Sequence, residues 1–104
     1  MKFYRYEEIN YHQIGIRIFF TEFDLLNETP KGYWIYKNFT DDKRWVSKTA
    51  KKRFAYPTME EALSSFIARK TRQIQILEGQ LTNAKSALMQ GKNEWKKLKN
   101  SESQ

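Results

Sequence analysis

Residues 58–98, TMEEALSSFIARKTRQIQILEGQLTNAKSALMQGKNEWKKL, form the stretch on which the fold turns. Thr58 stands as an N-cap with Glu61 three residues later, a capping box in which hydroxyl and carboxylate each satisfy a free backbone N–H. Pro57 sets the boundary, and Glu60 and Glu61 suit the positive end of a helix. From there Leu63, Ile67, Lys70, Ile74, Leu77, Leu81, Ala84, Leu88, Gly91, Trp95 and Leu98 recur at alternating steps of four and three. That is the a/d spacing of a coiled coil, broken only by Lys70 and Gly91. A helix of this length measures about 60 Å, whereas a compact chain of this size has a radius of gyration near ~13 Å. The spacing therefore predicts a helix that overhangs a small head. Ile74, Leu77, Leu81 and Leu88 are expected to form an interface between copies of the chain, because a small sheet cannot cover them all. Gly91 at a d position is expected to end or kink the helix.

Upstream, the pattern changes to period two. Residues 2–6 are a short β-prone run. Residues 14–26 give the strongest strand signal, with Ile14, Ile16, Ile18 and Phe20 on one parity and Phe19, Phe23 and Leu25 on the other. The switch near Phe19 and Phe20 implies either a bulge there or a strand covered on both faces. Asn27 to Gly32 is turn chemistry. Residues 33–36 and 44–47 read as a hairpin around Asp41 and Asp42, and residues 53–56 as a last short strand. Strands first and one long helix last give an α+β fold: an antiparallel sheet of four or five strands, then a C-terminal helix with coiled-coil character. The expected division is a sheet region over 1–56, a helix over 57–98 and a frayed tail over 99–104, in a single domain.

Composition narrows the function. The 104 residues carry a net charge of +7, with 30% charged and 15% aromatic side chains. The aromatic load argues against disorder, and the charge points to an anionic partner. With no cysteine and a single histidine, His12, neither a thiolate nor a histidine-based metal site is expected, and no cofactor. There is no Gly-rich phosphate loop and no histidine beside an acid, so the chain reads as non-enzymatic. The pairs Glu7-Glu8, Asp41-Asp42 and Glu60-Glu61 have ordinary places in turns and helix starts. Lacking an apolar run or a signal-like start, the protein is expected in the cytoplasm, away from membranes.

The best candidate for a ligand site lies in residues 43–56, which hold six basic residues and no acid. Trp34 and Tyr36 on one strand and Trp45 on its hairpin partner offer stacking surface on one sheet face, and Lys43, Arg44, Lys48, Lys51, Lys52 and Arg53 offer positive charge, with Arg69, Lys70 and Arg72 as a second cluster on the helix. Flat rings stack on bases while cations hold phosphates. The plainer reading is that the rings are sheet core and the lysines protect strand edges from aggregation.

The run Lys52-Arg53-Phe54-Ala55-Tyr56-Pro57-Thr58, with Glu60-Glu61-Ala62-Leu63 and Phe66-Ile67-Ala68-Arg69-Lys70, resembles small proteins encoded by tailed bacteriophages. Tyr33-Trp34-Ile35 and Trp45-Val46 fit the same pattern, so the resemblance spans residues 33–90 and carries no catalytic motif. It implies an accessory phage protein that antagonises bacterial host defence. The expected mechanism is sequestration of a small anionic nucleotide in a homo-oligomer, with direct inhibition of a host defence protein, or binding of DNA or RNA, as the alternatives.

Overall fold

The computed structural model describes residues 1–102. Four strands, β1 (Lys2–Tyr11), β2 (Gly15–Thr29), β3 (Gly32–Tyr36) and β4 (Lys43–Ser47), precede one helix, α1 (Met59–Glu102). The strands form an antiparallel sheet in sequence order, as the α+β reading anticipates. Two compact units result, Met1–Ala68 and the remainder from Arg69 onward.

Local chemistry sets the turns. Between β1 and β2, Gly15 takes φ +93°, a left-handed conformation that glycine adopts without steric cost. Between β2 and β3, the Thr29 hydroxyl donates to the Gly32 carbonyl at 3.1 Å and accepts from its N–H at 3.2 Å. The last short strand expected over 53–56 is reduced to one bridge. Tyr56 and Tyr4 exchange backbone hydrogen bonds of 2.7 and 2.9 Å on the free edge of β1, so the chain after β4 crosses back over the sheet.

That crossing creates the core. Phe3, Phe23, Ile35, Val46 and Ala55 are buried together, with Leu25, Tyr33 and Phe54 packed around them. Strand parity accounts for the set, since Phe3 faces Phe23, Leu25 faces Ile35 and Tyr33 faces Val46 in register. The parity change near Phe19 is not a bulge. Pairing runs unbroken through Glu7 with Phe19 and Tyr6 with Phe20, and the register shift lies between Leu25 and Asn27. β2 thus carries apolar side chains on both faces along its first half, where β1 is its only neighbour. Ile16, Ile18, Phe19 and Phe20 remain substantially exposed there.

α1 begins as its sequence dictates. The Thr58 hydroxyl accepts from the Glu61 N–H at 3.1 Å, and the Thr58 carbonyl takes the first helical bond from Ala62. The positions buried in its first turns are Ala62 and Phe66, one residue before the Leu63 and Ile67 of the a/d stripe, and Ile67 is exposed. Beyond Lys70, every position of the helix through Ser101 is exposed. The helix continues through Gly91, where a break was expected, and across residues 99–102. The final two positions of the expected frayed tail lie outside the described residues.

Candidate functional site

Period-two alternation sorts the basic and aromatic stretch onto two sides of the sheet. Trp34, Tyr36, Lys43 and Trp45 share the outer face, away from the core. Trp34 is opposite Trp45 and Tyr36 opposite Lys43 in the β3–β4 register. The two indoles form a tilted pair with centroids 5.2 Å apart, 41% and 39% exposed. Gly32 makes this possible: a Cβ there would run into the Val46 carbonyl and lie 2.6 Å from the Trp45 ring. Lys43 is exposed beside Tyr36.

Three further cations of the stretch, Arg44, Lys48 and Arg53, are engaged by the scaffold, while Lys51 and Lys52 are exposed. Arg44 falls on the opposite parity, across from Ile35, with its guanidinium 5.2 Å from the Phe54 ring centroid and 3.0 Å from the Asp42 carboxylate. Arg5 lies 4.5 Å from the same ring and donates to the Phe54 carbonyl at 2.8 Å. Lys48 sits 5.1 Å over Tyr33 and pairs with Glu28 at 3.4 Å. Arg53 donates to the carbonyls of Lys48 and Ala50 at 2.6 and 3.0 Å, tying down the loop after β4. Tyr36, Lys43 and Trp45 are therefore brought together, and Arg44, Lys48 and Arg53 are not. Arg69 and Arg72 are exposed positions of the second unit.

Several exposed or half-buried side chains outside that stretch share the outer face. Tyr4 and Tyr6 of β1 contact Phe20 of β2 with ring centroids 6.3 and 5.8 Å apart, and Ile16 and Ile18 continue the row. At one end of the row Lys2 bridges Asp24 at 3.2 Å and Glu22 at 3.4 Å. The hydrogen bond to Asp24, then that to Glu22, holds its ammonium above the ordinary lysine range. The β3–β4 loop adds Phe39, wholly exposed and at φ 65°, a left-handed conformation that a bulky side chain rarely adopts. Its loop is pinned by Thr40, whose hydroxyl donates to the Lys37 carbonyl at 2.8 Å. Sequence reasoning passed over Phe39 and the Tyr4–Tyr6–Phe20 group as functional residues. Trp34, Tyr36 and Trp45 fall on one sheet face as expected, because residue 34 has the parity of Tyr36 and pairs across the hairpin with Trp45.

The helix carries its own exposed features. Ile74, Leu77, Leu81, Leu88, Trp95 and Leu98 are each more than half exposed. On one flank Lys85, Leu88, Met89, Lys92, Asn93 and Lys96 line a shallow open groove. Lys70, the charged position of the stripe, donates to Gln73 at 3.1 Å. Among the described residues no cluster of His, Cys, Asp or Glu is placed to hold a metal ion, and no helix is long and apolar enough to cross a membrane. No protein-family model, curated protein or solved structure matches the chain.

Proposed function

We propose that the protein is a non-enzymatic binding protein that self-associates through α1 and docks the outer face of its sheet on a partner protein. The observation that carries this reading is the exposed apolar row Ile16, Ile18 and Phe20 beside half-buried Tyr4 and Tyr6, with a second, separate exposed pair, Trp34 and Trp45, beyond the charged Lys2, Glu22 and Asp24 on the same face. A two-stranded ribbon exposing apolar residues on both sides is marginal in water by itself, and exposed apolar surface such as the row on β1 and β2 marks interaction sites. Phe39, held in a strained conformation with its ring in solvent, has the character of an aromatic anchor for a pocket on a partner. In the phage setting suggested by the resemblance, the partner is a bacterial defence effector and the protein its direct inhibitor. The test is cross-linking with mass spectrometry in host cells, comparing the wild type with Ile18→Glu and Phe39→Ala. Loss of the same cross-linked partner in both variants supports the reading, and an unchanged set of partners defeats it.

A second reading, capture of a small anionic nucleotide, is favoured by one observation. The Trp34–Trp45 pair has Tyr36 and Lys43 at its side, which supplies stacking surface and one cation. Since Arg44 and Arg53 serve the scaffold, their alanine variants are expected to lower the melting temperature without changing nucleotide affinity. Trp45→Ala is expected to lose about 1–3 kcal/mol of any stacking-based affinity. Calorimetric titration of an anionic nucleotide panel, with melting curves beside it, separates the two readings. Ligand recovered chemically intact after heating a complex agrees with binding alone, whereas turnover to a cleaved product overturns the non-enzymatic assignment.

A further inference from the structure

Resting on the proposed self-association, we infer that α1 pairs antiparallel with a second copy of itself, centred on Ser86. The seam carries its large and small residues in an order that distinguishes the two orientations. In a parallel pair each layer meets its own kind, so Gly91 faces Gly91 and Ala84 faces Ala84, while Trp95 crowds Trp95 one layer on. Voids and crowding alternate, and both are unfavourable in a packed interface.

Antiparallel pairing about Ser86 removes both faults. Leu81 lies in the layer of Gly91 from the second copy, Ala84 in that of Leu88, Leu77 in that of Trp95 and Ile74 in that of Leu98. Each small residue receives a large one. The space around Gly91 is open, with nothing within 4 Å of a Cβ built there, so it can accept the leucine. The helix also continues without a break through Gly91 in α1, which keeps Trp95 and Leu98 on the same seam.

Charge at the flanks agrees with this register. Glu78 comes opposite Lys92 of the second copy, twice in a symmetric pair, and so meets the groove that Lys85, Lys92 and Lys96 make basic. Gln80 comes opposite Glu94. The one like-charged meeting is Lys85 with its symmetry mate, where long exposed stems can diverge. A parallel pair would leave Glu78 facing Gln73 and Lys92 facing Ala87, so it predicts no coupling between positions 78 and 92.

The experiment is a charge-swap cycle on the full-length chain, read by sedimentation at low salt. Glu78→Lys and Lys92→Glu are each expected to weaken self-association about three- to tenfold, and the double variant is expected to recover wild-type affinity within about twofold. A spin label at Gln75→Cys, unique because the chain has no other cysteine, supplies an independent reading. The antiparallel register separates the two labels by about 33 Å along the axis, whereas a parallel pair holds them within about 25 Å. Rescue with the long distance supports the inference. Additive swaps with the short distance overturn the orientation and leave self-association standing, and a monomeric wild type overturns both.

Discussion

Phe39 and Gly32 sit at opposite extremes of backbone demand, and each yields a substitution with a defined sign. Phe39 holds φ 65° with its ring wholly in solvent, so nothing it packs against repays the strain. Phe39→Gly is expected to raise stability by about 1 kcal/mol, the usual cost of left-handed backbone in an L residue. If Phe39 anchors a partner, the same variant loses binding while gaining stability. Thermal melting and a binding assay on one preparation check both halves, and lowered melting would show that the ring is structural. Gly32 is the reverse case. Its missing Cβ leaves room for Trp45 and the Val46 carbonyl, and a backbone atom cannot swing aside as a side-chain tip can. Gly32→Ala is expected to cost about 1–3 kcal/mol, as overpacking does, with the Trp34–Trp45 contact disturbed. Tryptophan fluorescence during denaturant unfolding reads both effects.

Elements whose signals are local could be read from the sequence, and those set by distant pairing could not. The Thr58 cap, the β3–β4 hairpin and the course of β2 as far as Leu26 follow from neighbouring residues, because capping and alternation rules act within a few positions, whereas Asn27, Glu28 and Thr29, expected in the turn, pair with Trp34, Tyr33 and Gly32 of β3. The extension of β1 through Glu7, Glu8, Ile9, Asn10 and Tyr11 was hidden, since its polar run acquires strand form only by pairing with Phe19, Ile18 and Arg17 of β2. The position of the bulge was missed for the same reason: it depends on how β2 meets β3. In the candidate site, adjacency in sequence suggested that Arg44 joins Trp45, but adjacent strand residues point to opposite faces, and Arg44 went to Phe54. Gly91 misled because intrinsic helix propensity is a weak prior, about 1 kcal/mol against alanine, and the residues on both sides of it are good helix formers. The two helix glycines now separate propensity from packing. Gly79→Ala is expected to stabilise α1 by about 1 kcal/mol without altering association, whereas Gly91→Leu is expected to crowd Leu81 of the second copy and weaken it. Equal effects on the oligomer at both positions, by sedimentation, would remove the packing role given to Gly91.

Charge divides unevenly along the whole chain, and this gives self-association and nucleic-acid binding opposite salt dependence. From Arg69 to the end there are eight basic residues against three acids, a net of +5 of the total +7. Two such segments brought together along an apolar seam repel one another, while the hydrophobic contribution of the seam is insensitive to moderate salt. Added salt screens exposed charges over a Debye length of about 10 Å at 0.1 M. Repulsion over the whole helix outweighs the few exposed Glu78–Lys92 pairs, each worth no more than about 1 kcal/mol. Self-association is therefore expected to tighten as salt rises from about 50 to 500 mM. Binding to DNA or RNA through the same lysines would weaken steeply over that range, because each phosphate contact releases a counterion. Sedimentation of the protein alone, and anisotropy with a labelled single strand, give the two slopes. A dimer that loosens with salt would assign its stability to ion pairs and not to the leucine seam. Strand binding with a steep negative slope would move the functional assignment from protein partners to nucleic acid.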